Sequence, residues 1–174
     1  SCEEYRHRVI QMGEHPSRVF DVGSLGVENI KAVPLMTKDE LEASLDFKID
    51  TQTILVTYHP VTLGGDPAKD IREFLNALDQ FKDLKVIFTM PNSDTGRDAI
   101  ALAVENYVEK HSNSAKAYTS LGLRRYLSTL QFVKAAVGNS SSGIIEVPSF
   151  GIPTLNIGDR QKGRLASKSV VNCG

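Results

Sequence analysis

From Thr53 onward the chain alternates between short β-type runs and longer helical stripes, and that alternation limits the folds open to it. Thr53-Ile54-Leu55-Val56-Thr57-Tyr58 is a continuous β-type run, the pattern of a strand buried on both faces. Asp66-Pro67 supplies an N-cap with proline at the first helical position, and Ile71, Phe74, Leu75 and Leu78 share one face of the helix that follows. Leu84 to Thr89 is the next strand-type run, and Ile100, Ala103, Val104, Tyr107 and Val108 mark a helix from about Thr95. Ala115 to Tyr118 is a weaker strand, and Leu123, Tyr126, Leu127 and Leu130 line another helix. Ala135-Ala136-Val137 and Thr154-Leu155-Asn156-Ile157 complete five strands. Parallel strands need a crossover of about a dozen residues or more, usually a helix, and such crossovers are right-handed. The predicted fold is therefore α/β, a Rossmann-like layer around a parallel sheet.

The first part of the chain lacks that regularity. Residues 3–13 read as a helix with Tyr5, Val9 and Ile10 on one face and Gly13 as its stop. Val19-Phe20-Asp21-Val22 reads as a short strand, and residues 24–36 as irregular or briefly helical. Thr37-Lys38-Asp39-Glu40 has capping-box spacing and opens a short helix with Leu41 and Leu45 inward. No core of its own is evident in residues 1–48. They are expected to be the end of a missing N-terminal domain and a connection, with residues 49–174 forming a binding domain truncated at its C-terminus. The abrupt start and stop predict a fragment of a longer protein.

A net charge of −1 over 174 residues creates no general field toward nucleic acid or anionic membrane, so neither is expected as a partner. No run is long and apolar enough to span a bilayer, and no signal peptide is recognisable. The two cysteines, Cys2 and Cys173, lie at opposite ends without motif spacing, which fits a reducing cytoplasm. His7, His15, His59 and His111 show no ligand spacing, so neither a metal nor another cofactor is expected.

In an open parallel sheet, ligands bind beyond the C-terminal strand ends. The expected loops there are His59-Pro60, Pro91 to Arg97, Thr119-Ser120, the turn Asn139-Ser140-Ser141-Ser142-Gly143, and Gly158-Asp159-Arg160. Serine hydroxyls and unpaired N–H groups at a helix N-terminus favour an anion. Glu146 stands about one turn into the expected helix and can accept hydrogen bonds from a sugar diol. Arg160 can offer a cationic fork to the same phosphate. The pattern predicts a diphosphate–ribose cradle. A serine-rich turn also serves as a plain N-cap, but capping-box spacing fails here, because Ile145 stands where an acid is needed and Glu146 is one residue beyond. His59 suits proton transfer or phosphate contact, and equally suits packing in a loop. Asn92 and Asp94 can bond sugar hydroxyls, and are turn residues as well. Neither a Walker-type lysine loop nor a Gly-x-Gly-x-x-Gly loop is present.

Several stretches together resemble the hydrolysing UDP-N-acetylglucosamine 2-epimerases of sialic acid synthesis. They are Tyr5 to Glu14, Val22 to Ile30, Tyr58-His59-Pro60-Val61-Thr62, Met90 to Asp94, and Gly138 to Arg164, the last carrying the serine turn, Glu146 and Gly158-Asp159-Arg160-Gln161. The resemblance implies one half of a glycosyltransferase-B-type two-domain fold, with substrate between the domains. It implies loss of UDP from UDP-N-acetylglucosamine with removal of the C2 proton, then addition of water to give N-acetylmannosamine. By the same resemblance Ser140, Ser141 and Gly143 would hold the diphosphate, Glu146 the ribose hydroxyls, and Arg160 the diphosphate. His59 would stand near the leaving group as the catalytic residue, and Asn92 and Asp94 on the sugar side. The implied partners are UDP and a UDP-sugar, and the full-length protein is expected to self-associate. Without the domain that supplies the acids for the C2 proton, the chain is expected to bind UDP yet be inactive alone. A glycosyltransferase donor domain and a non-catalytic nucleotide-sugar module are the alternative readings.

Overall fold

A computed structural model describes residues 2–61 and 65–174. Residues 1–34 and 35–174 form two compact units.

The first unit carries α1 (Glu3–Gln11), a single 3-10 turn at Pro16–Arg18, and α2 (Leu25–Ala32). α1 stops where expected, with Gly13 in the left-handed region at φ 109°. Arg6 ties the following loop to the helix, its Nε donating to Val19 O at 2.8 Å and its Nη2 to Pro16 O at 3.2 Å. The strand expected at Val19-Phe20-Asp21-Val22 does not form. A β-type run needs a partner ladder, and none is offered among the described residues, so Phe20 and Val22 stay 74% and 70% exposed.

The second unit begins with α3 (Lys38–Leu45), entered through the complete capping box of Thr37 and Glu40. Leu41 and Leu45 are fully buried, so α3 is built into this unit although the sequence reading placed it in a connection. Then follow β1 (Thr53–Thr57), α4 (Pro67–Leu78), β2 (Lys85–Thr89), α5 (Arg97–Lys110), β3 (Ala115–Tyr118), α6 (Gly122–Leu130) and β4 (Ala135–Gly138). The short α7 (Ser142–Ile145), a 3-10 turn, β5 (Thr154–Ile157), another 3-10 turn at Asp159–Gln161 and β6 (Val170–Cys173) complete the unit. All five ladders are parallel, in the order β3-β2-β1-β4-β5-β6. Asp66 caps α4 through Ala68 N–H, with Pro67 at the first position, as expected. The sixth strand was not foreseen. Four residues with one polar member are too short to show a period.

The chain builds outward from β1 in one direction to β3, returns, and builds outward from β4 in the other. Right-handed crossovers then place α4 and α5 on one face and α6 and α7 on the opposite face. The main core lies under α4 and α5, where Ile71, Leu75, Ile100 and Val104 meet Ile54, Val56, Val86 and Phe88. Leu55 and Ile87, alternating to the other face, are equally buried, and α3 packs with α6. On α6, Leu127 and Leu130 are inward as expected, whereas Leu123 is 49% exposed at its first turn. The α4 face of β4 and β5 has no helix over it among the described residues. An open groove of ≈ 1210 Å³ lies there, lined by Phe74, Phe81, Val137, Leu155 and Ile157 among others.

Candidate active site

The reversal between β1 and β4 sets the site. Thr57 and Gly138 are partners at the C-terminal ends of these strands. Gly138 has φ +134°, and a Cβ there would stand 2.0 Å from Thr57 O, so only glycine lets the backbones close up. One residue on, Asn139 is fully buried and bonds the His59 backbone twice. Its Oδ1 accepts the His59 N–H at 2.7 Å and its Nδ2 donates to His59 O at 2.8 Å. The Asn139 carbonyl accepts Arg160 Nη1 at 3.1 Å and Gln161 Nε2 at 2.8 Å. One buried amide thus pins the loops after β1, β4 and β5 together.

His59 is 6% exposed, and its Nδ1 accepts the Asn92 N–H at 3.4 Å. Burial pushes its pKa down, the Arg160 charge pushes the same way, and Asp94 opposes them. The imidazole is therefore held neutral, and with Nδ1 accepting, its proton sits on Nε2. His59 is thus bonded to the Asn92 backbone, and the charges of Arg160 and Asp94 act on it.

The serine turn is more nearly self-satisfied than expected. Ser140 O accepts the Gly143 N–H at 3.2 Å, and Ser141 O accepts those of Ile144 and Ile145 at 3.0 Å each. Ser140 Oγ accepts the Ser142 N–H at 3.4 Å. α7 is four residues long, too short for a substantial dipole. What remains for an anion is the N–H groups of Ser140 and Ser141, which have no partner among the described residues, the Ser141 hydroxyl, and the nearby Arg160. Gly143 has a packing role as well: a Cβ there would stand 2.8 Å from Thr154 Cγ2, and Thr154 Oγ1 donates to Gly143 O at 2.7 Å.

Glu146 follows α7, half-buried, and its Oε2 is enclosed with no hydrogen-bond partner among the described residues. Burial raises its pKa, and hydrogen bonding from Ser142 partly counters that. Tyr126, partly buried on α6, bonds the Ser142 hydroxyl, and burial pushes its pKa to about 12. The Thr119-Ser120 loop does not join the cluster. It follows the edge strand β3, which β2 and β1 separate from β4, and Ser120 Oγ is used by Gly122 N–H at 3.1 Å. Thr62, part of the expected histidine loop, lies outside the described residues. Sequence reasoning missed the structural parts played by Asn139, Gln161 and Tyr126. The only signal for Asn139 was its place directly after a strand ending in glycine.

The arrangement defines a Rossmann-like domain of the glycosyltransferase-B type, with its polar groups gathered at the topological switch point of the sheet. The model of the UDP-N-acetylglucosamine 2-epimerase family matches residues 1–174, and the chain belongs to that family. It is 43% identical over 173 residues to a Campylobacter jejuni GDP/UDP-N,N'-diacetylbacillosamine 2-epimerase (hydrolyzing), covering 99% of this chain and 45% of that protein. It is 41% identical over 174 residues to the Escherichia coli polysialic acid biosynthesis protein P7, covering 99% and 44%. The chain thus spans less than half the length of these relatives. Among solved structures, the S. aureus MnaA–UDP co-structure superposes with a TM-score of 0.65 at 16% identity, covering 91% of this chain and 42% of that one. At that identity the likeness shows the fold.

Proposed function

We propose that this chain is the UDP-binding half of a hydrolysing UDP-sugar 2-epimerase. In the proposed reaction UDP leaves C1 of UDP-N-acetylglucosamine as the C2 proton is removed, giving a glycal-like intermediate. Water then adds across the double bond, giving N-acetylmannosamine and UDP. The observation that carries this reading is the pairing, on one edge, of free N–H groups at Ser140 and Ser141 beside the Arg160 guanidinium with the uncommitted Glu146 carboxylate oxygen. The first set suits a diphosphate and the second a ribose hydroxyl. Gly143, without a side chain, lets α7 pack against Thr154 of β5 between them. His59 offers its Nε2 proton as a hydrogen bond to the departing phosphate, and Asn92 and Asp94 line the sugar side. The name of the C. jejuni relative supports the hydrolysing type, and that of the E. coli relative supports a place in sialic acid chemistry.

A calorimetric titration of UDP into the chain tests the reading, with Ser141→Ala and Glu146→Ala beside it. Binding by the unsubstituted chain, weakened about tenfold by either change, is expected. Loss in neither variant would remove the nucleotide from this turn. The same preparation is expected to release no N-acetylmannosamine from UDP-N-acetylglucosamine, since the groups that take the C2 proton are assigned to the other half. Release of that sugar would overturn this division of labour.

A further inference from the structure

Glu146 has a supporting network that the nucleotide reading does not use. Its N–H donates to Ser142 O at 2.9 Å, so the two residues are one helical turn apart and their side chains share a face. The Ser142 hydroxyl is hydrogen-bonded in turn to the hydroxyl of Tyr126, which reaches it from α6. A carboxylate only accepts, and a serine hydroxyl has one proton. If that proton goes to Glu146, the Tyr126 phenol must donate to Ser142 Oγ. With the serine proton turned toward the carboxylate, the chain runs from tyrosine to serine to carboxylate.

We propose that Tyr126 and Ser142 are positioning residues for Glu146, a relay that engages one side of the carboxylate and leaves its remaining acceptor capacity for a ribose hydroxyl. Without the phenol, the serine hydroxyl is free to turn back onto a carbonyl of the preceding turn, as serines near helices do. The carboxylate would then lose its director while keeping its place. Tyr126 is the titratable group that faces Glu146 from α6, and its pKa of about 12 keeps it a donor wherever Glu146 titrates. The unpartnered Glu146 Oε2 is what an acceptor held ready for a ligand hydroxyl would show. The ligand's identity rests on the nucleotide reading, but the relay does not.

The test uses the full chain with Tyr126→Phe and Ser142→Ala, two changes that remove a hydroxyl and little volume. The first readout needs no ligand: the Glu146 carboxyl carbon is followed by NMR as pH is varied. Its pKa is expected to rise in both variants, more in Ser142→Ala, because a donor to the charged form is lost. An unchanged titration in both overturns the relay. The second readout compares UDP with 2′,3′-dideoxy-UDP, which lacks the diol. Tyr126→Phe is expected to weaken UDP about tenfold and leave the dideoxy compound unaffected. Equal weakening of both would make Tyr126 a packing residue only and overturn the proposal. If the unsubstituted chain bound neither compound, the nucleotide reading would fall, and the carboxyl titration would still decide the relay.

Discussion

Asn139 illustrates how much of this site depends on one buried amide. Its side chain closes a two-bond ring with the His59 backbone, and its carbonyl takes both Arg160 and Gln161. At His59 and Gln161 water could not replace the amide, since Asn139, His59 and Gln161 are all buried. Asn139→Ala would leave the His59 N–H and C=O unpaired, at a cost of about 2 to 4 kcal/mol, two unsatisfied backbone groups at about 1 to 2 each. Asn139→Asp should be no milder, because it keeps the acceptor but sets a second oxygen against His59 O. Denaturant unfolding of the two variants checks this. A loss under about 0.5 kcal/mol for the alanine variant, the range of a neutral surface change, would mean that His59 is held by other contacts. The same geometry explains why His59 is neutral: the loop that positions it also buries it next to Arg160.

At the scale of elements, the strands and helices between Thr53 and Ile157 were legible because each is a local pattern. A run of β-type residues or a stripe of period 3.6 needs no knowledge of its neighbours. β6 was not foreseen and the Val19 to Val22 segment was misread for one reason, that a strand is made by its partner. Val170–Cys173 has β5 beside it, and Val19 to Val22 has no strand beside it among the described residues. The site was legible to the extent that it follows from topology, which gathers His59, Asn92, Asp94, the serine turn and Arg160 at one edge. The bonds between Asn139 and His59, 80 residues apart, and between Tyr126 and Ser142, 16 apart, have no local period to betray them. α3 lies between these cases. Its capping box was readable, but its anchor was not: Glu42, 7% exposed, accepts Lys48 Nζ at 2.7 Å and the Ile49 N–H at 2.9 Å. The Lys48 hydrogen bond, then the Ile49 N–H, hold its pKa below the ordinary 4.5. A carboxylate with a depressed pKa stabilises the fold above its unfolded value, and that contribution is lost as pH falls through the folded value. Between pH 5 and pH 3 the chain should therefore lose stability, and Glu42→Gln should lose less over the same interval. Thermal unfolding at both pH values checks the difference. Parallel losses in the two proteins would move the acid sensitivity to other carboxylates.

At the scale of the whole second unit, the two faces of the sheet are unequally covered. α4 and α5 shield β1, β2 and β3, and the right-handed route through β4, β5 and β6 brings the later helices to the opposite face. The apolar groove beside α4 follows from that topology, with Ala135, Val137, Leu155 and Ile157 alternating into it along β4 and β5 and Phe74 of α4 on its other side. Leu155, at 36% exposure, is the cost of leaving such a position apolar without a helix above it among the described residues, and Phe81, after α4, is 64% exposed at the groove's edge. An apolar surface of this kind binds hydrophobic dyes in the native state. A dye such as anilinonaphthalene sulfonate should fluoresce with the folded chain at neutral pH, and Leu155→Glu should largely abolish the signal. Because Leu155 is already part-exposed, that change should shift the unfolding midpoint by no more than about 1 kcal/mol. A signal that survives the substitution, or that tracks the unfolded fraction as denaturant is added, would place the dye elsewhere. The groove and the edge proposed to take the nucleotide share Gly158 and Asp159 in their linings or loops, yet the edge is built on hydrogen bonds through Asn139 and the groove on side-chain alternation. Leu155→Glu should therefore leave the UDP affinity proposed for that edge intact while emptying the groove of dye, which separates the two surfaces in one pair of titrations.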